Sequence, residues 1–194
     1  MNRRSRTSKG KQINPTFFVF CEGETEKQYI NFLRSKYRLP IEMEAKIAGN
    51  RITEIYISNF KKGKVNHPKD KTYLIYDLDA PKMLEKLQTI RNTVLLSSNP
   101  CFELWYLFHY QEQNAHISCV ECNQKMVSHH KSYLKGVFDS KLKEQLNEKQ
   151  EKAIHRASKL SLYQNPSSQV FKLINELEDV KKLNLSLPRY DKKK

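Results

Sequence analysis

The sequence predicts an α/β fold, a parallel sheet flanked by helices and continued by an all-helical C-terminal part. Three observations predict it. Short strand-like runs at 16–21, 41–48, 72–76 and 93–97 alternate with segments whose apolar residues recur at helical spacing. The order reads β-α-β-α-β-α-β, and strands joined through helices lie parallel in one sheet. Beyond residue 99 only helical patterns recur.

The first run, Thr16 to Cys21, is rich in Phe and Val and lacks polar alternation, as a strand buried on both faces does. It stops at Glu22 and Gly23. Gly23 allows a tight turn, Thr25 is read as a helix cap and Glu26 falls in the first helical turn. Tyr29, Ile30, Phe32 and Leu33 give that helix its apolar face, and Pro40 marks the loop after it. Residues 41–48 alternate apolar and polar, the mark of a half-exposed strand. Gly49-Asn50 breaks it, and Ile52, Ile55, Tyr56 and Phe60 outline a second helix ending near Gly63. Thr72 to Tyr76 is a third, buried strand running into Asp77-Leu78-Asp79. Pro81 opens a helix at the position that tolerates proline best, with Met83, Leu84, Leu87 and Ile90 on one face. Thr93 to Ser97 is the fourth strand. Cys101 to Tyr110 is a dense apolar and aromatic helix, followed by helices near 122–136, 139–160 and 166–178, the last starting at Asn165-Pro166-Ser167-Ser168. The domain plan is a basic disordered tail at 1–14, a core at 15–98, a helical part at 99–182 that completes the domain, and a basic tail at 183–194.

Composition narrows the function classes. A chain of 194 residues with 38 % hydrophobic residues can bury one ordinary core. No apolar run is long enough for a membrane span, and no apolar segment follows the basic N-terminus as in a secretory signal. Cys21, Cys101, Cys119 and Cys122 are too few and too irregular for a disulfide framework. A cytoplasmic protein is the expectation. Thirty-five Lys and Arg against 21 Asp and Glu leave a net charge of +14. The tails Arg3 to Lys11 and Arg189 to Lys194 carry part of it and the rest is spread over the body, which favours a polyanionic partner, nucleic acid first.

Two strands end in acids, the first in Glu22 and the third in Asp77 and Asp79. As parallel neighbours they would place these groups at one sheet edge, where ligands of open α/β sheets gather. Asp77 and Asp79, two apart in extended chain, can face one site, and Glu26 can lean over it. Carboxylates clustered without Lys or Arg are costly unless a cation or proton is shared. Hard oxygen ligands in that number suit Mg²⁺ or Mn²⁺, and such ions stabilise the anionic transition state of phosphodiester cleavage. The alternative is structural: a turn after one strand and a helix N-terminal acid after the other.

The segments Cys21-Glu22-Gly23-Glu24-Thr25-Glu26-Lys27, Asp77-Leu78-Asp79, Asn99-Pro100-Cys101-Phe102-Glu103-Leu104-Trp105, Tyr133-Leu134-Lys135 and Asn165-Pro166-Ser167-Ser168-Gln169-Val170 together resemble RloB-like proteins. The first two also resemble the Toprim arrangement of topoisomerases, bacterial primases and OLD-family nucleases. The resemblance implies a Toprim-like, Rossmannoid core, Mg²⁺-dependent nuclease chemistry and a role in prokaryotic defence, often beside an ATPase. By analogy Glu22 is the acid of the first motif and Asp77 and Asp79 are metal ligands. Glu26 and Glu103 resemble the extra acids of the OLD-type site, and Lys135 matches a family lysine suited to clamping phosphate. No tyrosine nucleophile stands out, so strand passage is not expected. A catalytically silent subunit, docking an ATPase through the aromatic helix, is the alternative. A regulator that binds a metal and nucleotide or phosphate ligands is a third reading, and homo-oligomerisation stays open.

Other signals are weaker. His116, Cys119 and Cys122 with His129 and His130 could hold zinc or be plain thiols and imidazoles. Trp105, Tyr106, Phe108 and Tyr110 could stack on bases, though helical spacing favours packing. Cys101 and His109 read as core. Lys141, Lys143, Lys149, Lys152, Arg156 and Lys159 outline a phosphate-tracking or merely solvated face.

Overall fold

The computed structural model describes residues 13–80 and 82–186. The tails at 1–12 and 187–194 and the predicted helix-opening Pro81 lie outside the described residues. The elements are β1 (Thr16–Cys21), α1 (Glu24–Tyr37), β2 (Glu42–Ile47), α2 (Glu54–Lys61), β3 (Lys71–Ile75), α3 (Met83–Gln88), β4 (Val94–Leu95), β5 (Ser98–Asn99), α4 (Glu103–Tyr110), α5 (Cys119–His129), α6 (Ser140–Glu148), α7 (Gln150–Ser158), β6 (Ser167–Ser168) and α8 (Val170–Ser186).

The four-stranded sheet runs β2-β1-β3-β4, all neighbours parallel. β1 is central and buried on both faces because its side chains alternate between two apolar layers. Phe17, Val19 and Cys21 join Tyr73 and Ile75 in a core covered by α1 and the C-terminal helices. Phe18 and Phe20 join Leu74 and Tyr76 in a second core with Ile57 of α2 and Leu87 of α3. The first core continues without a break into Val170, Leu173, Ile174 and Leu177 of α8.

α4 is the helix around which the C-terminal part is built. Trp105, Tyr106, Leu107 and Phe108 are all buried, and Tyr29 of α1 meets Phe102, Trp105, Tyr106 and Phe138 edge-on. This burial corrects two readings. The aromatic helix is core, so it neither stacks on bases nor offers a docking face; Tyr110 alone in that group is partly exposed.

Several boundaries also differ from expectation. β4 itself is two residues long, but parallel bonding to β3 and its extension runs on, with Leu96 N donating to Leu74 O at 2.8 Å and Ser98 N to Tyr76 O at 3.0 Å, and Ser98 then also meets the C-terminal part. Ser98 and Asn99 pair antiparallel with Ser168 and Ser167, and Ser97 Oγ donates to Gln169 Oε1 at 2.5 Å. The C-terminal part is therefore helical but for this short ribbon, and the last helix starts at Val170 rather than Pro166. It extends to Ser186, into the segment expected as a tail from 183. The helix expected over 139–160 is two, divided at Lys149 (φ −102, ψ 9). The helix expected to reach 136 ends at His129, leaving a loop at 130–139. None of the described helices is long and apolar enough to cross a membrane.

Candidate functional site

Parallel pairing of Cys21 with Ile75 sets the ends of β1 and β3 side by side. The next residues are then in contact: Glu22 N donates to Ile75 O at 3.1 Å, and Asp77 N donates to Glu22 Oε2 at 2.9 Å. Asp77 is itself held by a parallel bridge to Ser98. The first-strand acid and the third-strand acid, 55 residues apart in sequence, meet at one edge of the sheet.

Glu26 comes in from the first turn of α1, where it is buried and its Oε2 accepts Gly23 N at 2.8 Å. Gly23 is the N-cap, in extended backbone (φ −139), so Thr25 is not the cap. The glycine matters for closeness rather than for a special turn: a Cβ there would lie 3.3 Å from the Glu26 carboxylate. Thr25 instead turns its Oγ1 to accept Gly136 N at 3.1 Å. That bond pins the 130–139 loop over the pocket. Glu22, Gly23, Glu24, Thr25, Glu26, Asp77, Lys135 and Gly136 line a cavity of about 200 Å³.

Glu103, the first residue of α4, is fully buried just behind this lining. Its Oε1 accepts the Tyr133 hydroxyl at 3.2 Å and faces Lys135 Nζ at 3.5 Å. Asp79 is placed differently: it is exposed at the rim and outside the lining. Its charge still contributes to raising the Glu22 pKa.

The electrostatics are those of carboxylates short of counter-charge. Burial, then the charges of Glu26, Glu22 and Glu103, push the Asp77 pKa up to about 9. Burial also raises Glu22 and Glu26, against the hydrogen bonds each accepts. For Lys135 burial alone would lower the pKa, but Glu103 and Asp77 outweigh it and hold it above the ordinary lysine value. Two carboxylate oxygens, Asp77 Oδ1 and Glu103 Oε2, are buried without a hydrogen-bond partner. Such atoms carry an uncompensated desolvation cost.

Donor type and bare oxygens fit a hard divalent cation. The acids converge without forming a closed ligand set: among the described residues no three His, Cys, Asp or Glu side chains stand ready to hold a metal. The same holds for the Cys and His segment read as a zinc candidate. His129 stacks on Tyr110, His130 Nε2 bonds Asp139 Oδ2 at 2.8 Å, and the Cys122 thiol is buried. His109 is buried, with Nδ1 on Trp105 O, and burial pushes its pKa down to about 3.

Of the sequence-predicted residues, Glu22, Glu26, Asp77, Glu103 and Lys135 come together, and Asp79 stands beside them. Sequence reasoning gave no role to Tyr133 and the wrong one to Thr25. Tyr133 and Lys135 sit in a turn-containing loop, Val137 N donating to Leu134 O at 2.9 Å, so no periodicity in the sequence marks Tyr133.

Searches of curated proteins and of solved structures returned no match. The family model described as RloB-like protein matches residues 17–177, a span holding every residue of the pocket, and by that match the chain belongs to the RloB-like family.

Proposed function

We propose that this protein is a Mg²⁺- or Mn²⁺-dependent nuclease of the Toprim type, cleaving phosphodiester bonds in nucleic acid. The observation that carries the reading is the pair of buried, unpartnered oxygens, Asp77 Oδ1 in the pocket with Glu22 and Glu26, and Glu103 Oε2 behind the lining, where the Glu103 charge is felt by Asp77 and Glu26. Asp77, Glu103 and Glu22 would hold the ion, with Glu26 and rim-lying Asp79 adding to the set. When bound, the ion supplies charge neutralisation for the phosphoryl transition state and a water of lowered pKa. The chain's own contribution is position and proton handling. Lys135 reaches from an exposed loop into the pocket, where a phosphate would meet its ammonium. Burial raises the carboxyl pKa of Glu26, which favours its taking up a proton from the reacting groups.

The net charge of +14 supports nucleic acid as the polyanion. On α6 and α7, Lys141, Lys143 and Lys152 are exposed for phosphate contact, as is Lys159 just past the end of α7. Lys149 lies over the Tyr110 ring and Arg156 donates to Phe108 O at 2.6 Å, so these two also secure the core. The likeness to RloB-like and OLD-family proteins supports the wider setting, an effector of a cytoplasmic prokaryotic anti-phage system working with an ATPase partner.

The test is incubation of the full chain with plasmid DNA and with structured RNA, in Mg²⁺, Mn²⁺ or chelator, alongside Asp77→Asn. Cleavage should require the ion and fall by about 100-fold or more in the variant, the scale of electrostatic and acid–base terms in catalysis. Cleavage that survives chelation or the substitution contradicts the site. Tight nucleic-acid or ATPase binding without cleavage favours the silent subunit instead.

A further inference from the structure

We infer that Tyr133 is a positioning residue: with Lys135 it holds Glu103 Oε1, and so fixes Glu103 with Oε2 turned free for the divalent cation. The inference rests on the metal-site reading above and gives the loop between α5 and α6 a second task, beside the phosphate contact of Lys135.

The geometry is that of a strap with three fastenings. At its base His130 Nε2 and Asp139 Oδ2 are 2.8 Å apart, which closes the ends of the loop on each other. Asp139 is itself fixed, because its Oδ1 caps α6 by accepting Leu142 N at 2.7 Å. Near the tip, Gly136 N is bonded to Thr25 Oγ1 on α1. Between these points Tyr133 and Lys135, two residues apart, both reach the same atom, Glu103 Oε1. Tyr133 packs edge-on against Tyr106 of α4, one turn beyond Glu103, so its ring is held while its hydroxyl points at the carboxylate.

The consequence lies in what each oxygen of Glu103 is given. Oε1 has a hydroxyl donor and an ammonium; Oε2 is buried and has neither. Here both donors come from one loop and crowd one oxygen. Outer-shell groups that orient a ligand in this way commonly set metal affinity by 10- to 100-fold.

The test is calorimetric titration of the intact chain with Mn²⁺, for wild type, Tyr133→Phe, Glu103→Gln and the double variant. Tyr133→Phe keeps the ring on Tyr106 and deletes only the donor. We expect it to weaken Mn²⁺ binding about 10-fold while the metal-free melting temperature stays close to that of wild type. In the Glu103→Gln background the same change should have no further effect, because a residue acting through Glu103 loses its lever there. Unchanged affinity in Tyr133→Phe, or an equal loss in both backgrounds, overturns the assignment while leaving the metal site standing. Wild type that binds no Mn²⁺ overturns both. Lys135→Met carries the test if Tyr133→Phe does not fold, since its side chain is 59 % exposed. A loss of Mn²⁺ affinity supports the strap. A gain, the effect of removing a bystander cation from an acidic pocket, overturns it.

Discussion

At the scale of single residues, Asp77 is a costly group for the fold. Burial and its acidic neighbours raise its pKa to about 9, so the folded state favours the protonated form. An unfolded chain ionises the same group near pH 4. The sign follows from linkage: between about pH 4 and pH 9 ionisation favours unfolding, and the penalty vanishes below that window. Asp77→Asn should therefore stabilise the metal-free protein at pH 7 by about 2 kcal/mol, roughly 4–8 °C in a chain of this size. The gap between variant and wild type should close as the pH falls toward 4, and thermal melts across that range check it. A variant less stable than wild type at pH 7 would mean that the Asp77 charge is already compensated. His109 acts in the other direction. Its depressed pKa makes it a group whose stabilising effect is complete above about pH 6.5 and lost on acidification toward 3.

At the scale of elements, the pocket depends on three unequal parts. The ends of β1 and β3 are fixed by ladder hydrogen bonds, and α4 by burial of its aromatic side chains. The 130–139 strap is held by its fastenings and by the packing of Tyr133 on Tyr106 and of Phe138 on Tyr29. Gly136 lies in the left-handed region, φ +80, so a side chain there is strained even though its Cβ would meet Glu24 Cβ and Cγ at ordinary distances of 3.7 and 3.9 Å. Gly136→Ala should cost about 1–2 kcal/mol and reduce cleavage more than its small loss of stability explains, because it moves Lys135 and Tyr133 together. Full cleavage by this variant would show that the strap plays no part. The same ranking explains what the sequence makes legible. Glu22 and Asp77 are readable because each ends a buried apolar run, and parallel pairing then leaves little freedom in where they go. Glu103 is readable as an acid on an apolar helix that needs a partner, but its meeting with Lys135 is readable only through family likeness, since no periodicity relates a helix start to a loop 32 residues later. The β5–β6 ribbon is too short to leave any alternation, and the break at Lys149 carries neither Gly nor Pro to announce it.

At the scale of the whole molecule, a strongly basic protein keeps a concentrated acidic pocket at the carboxyl edge of its sheet. The two charges are not in conflict. Net charge of +14 draws a polyanion to the surface, and the acids repel its phosphates unless a cation stands between them. On this account the ion links the two halves of the charge distribution. The most direct test is a crystal soaked in Mn²⁺ and measured for anomalous scattering. An anomalous peak is expected in the pocket, bound by Asp77 and Glu103 and adjoining Glu22. A pocket without the peak, with Asp77 Oδ1 and Glu103 Oε2 satisfied by water or by a shared proton, would contradict it.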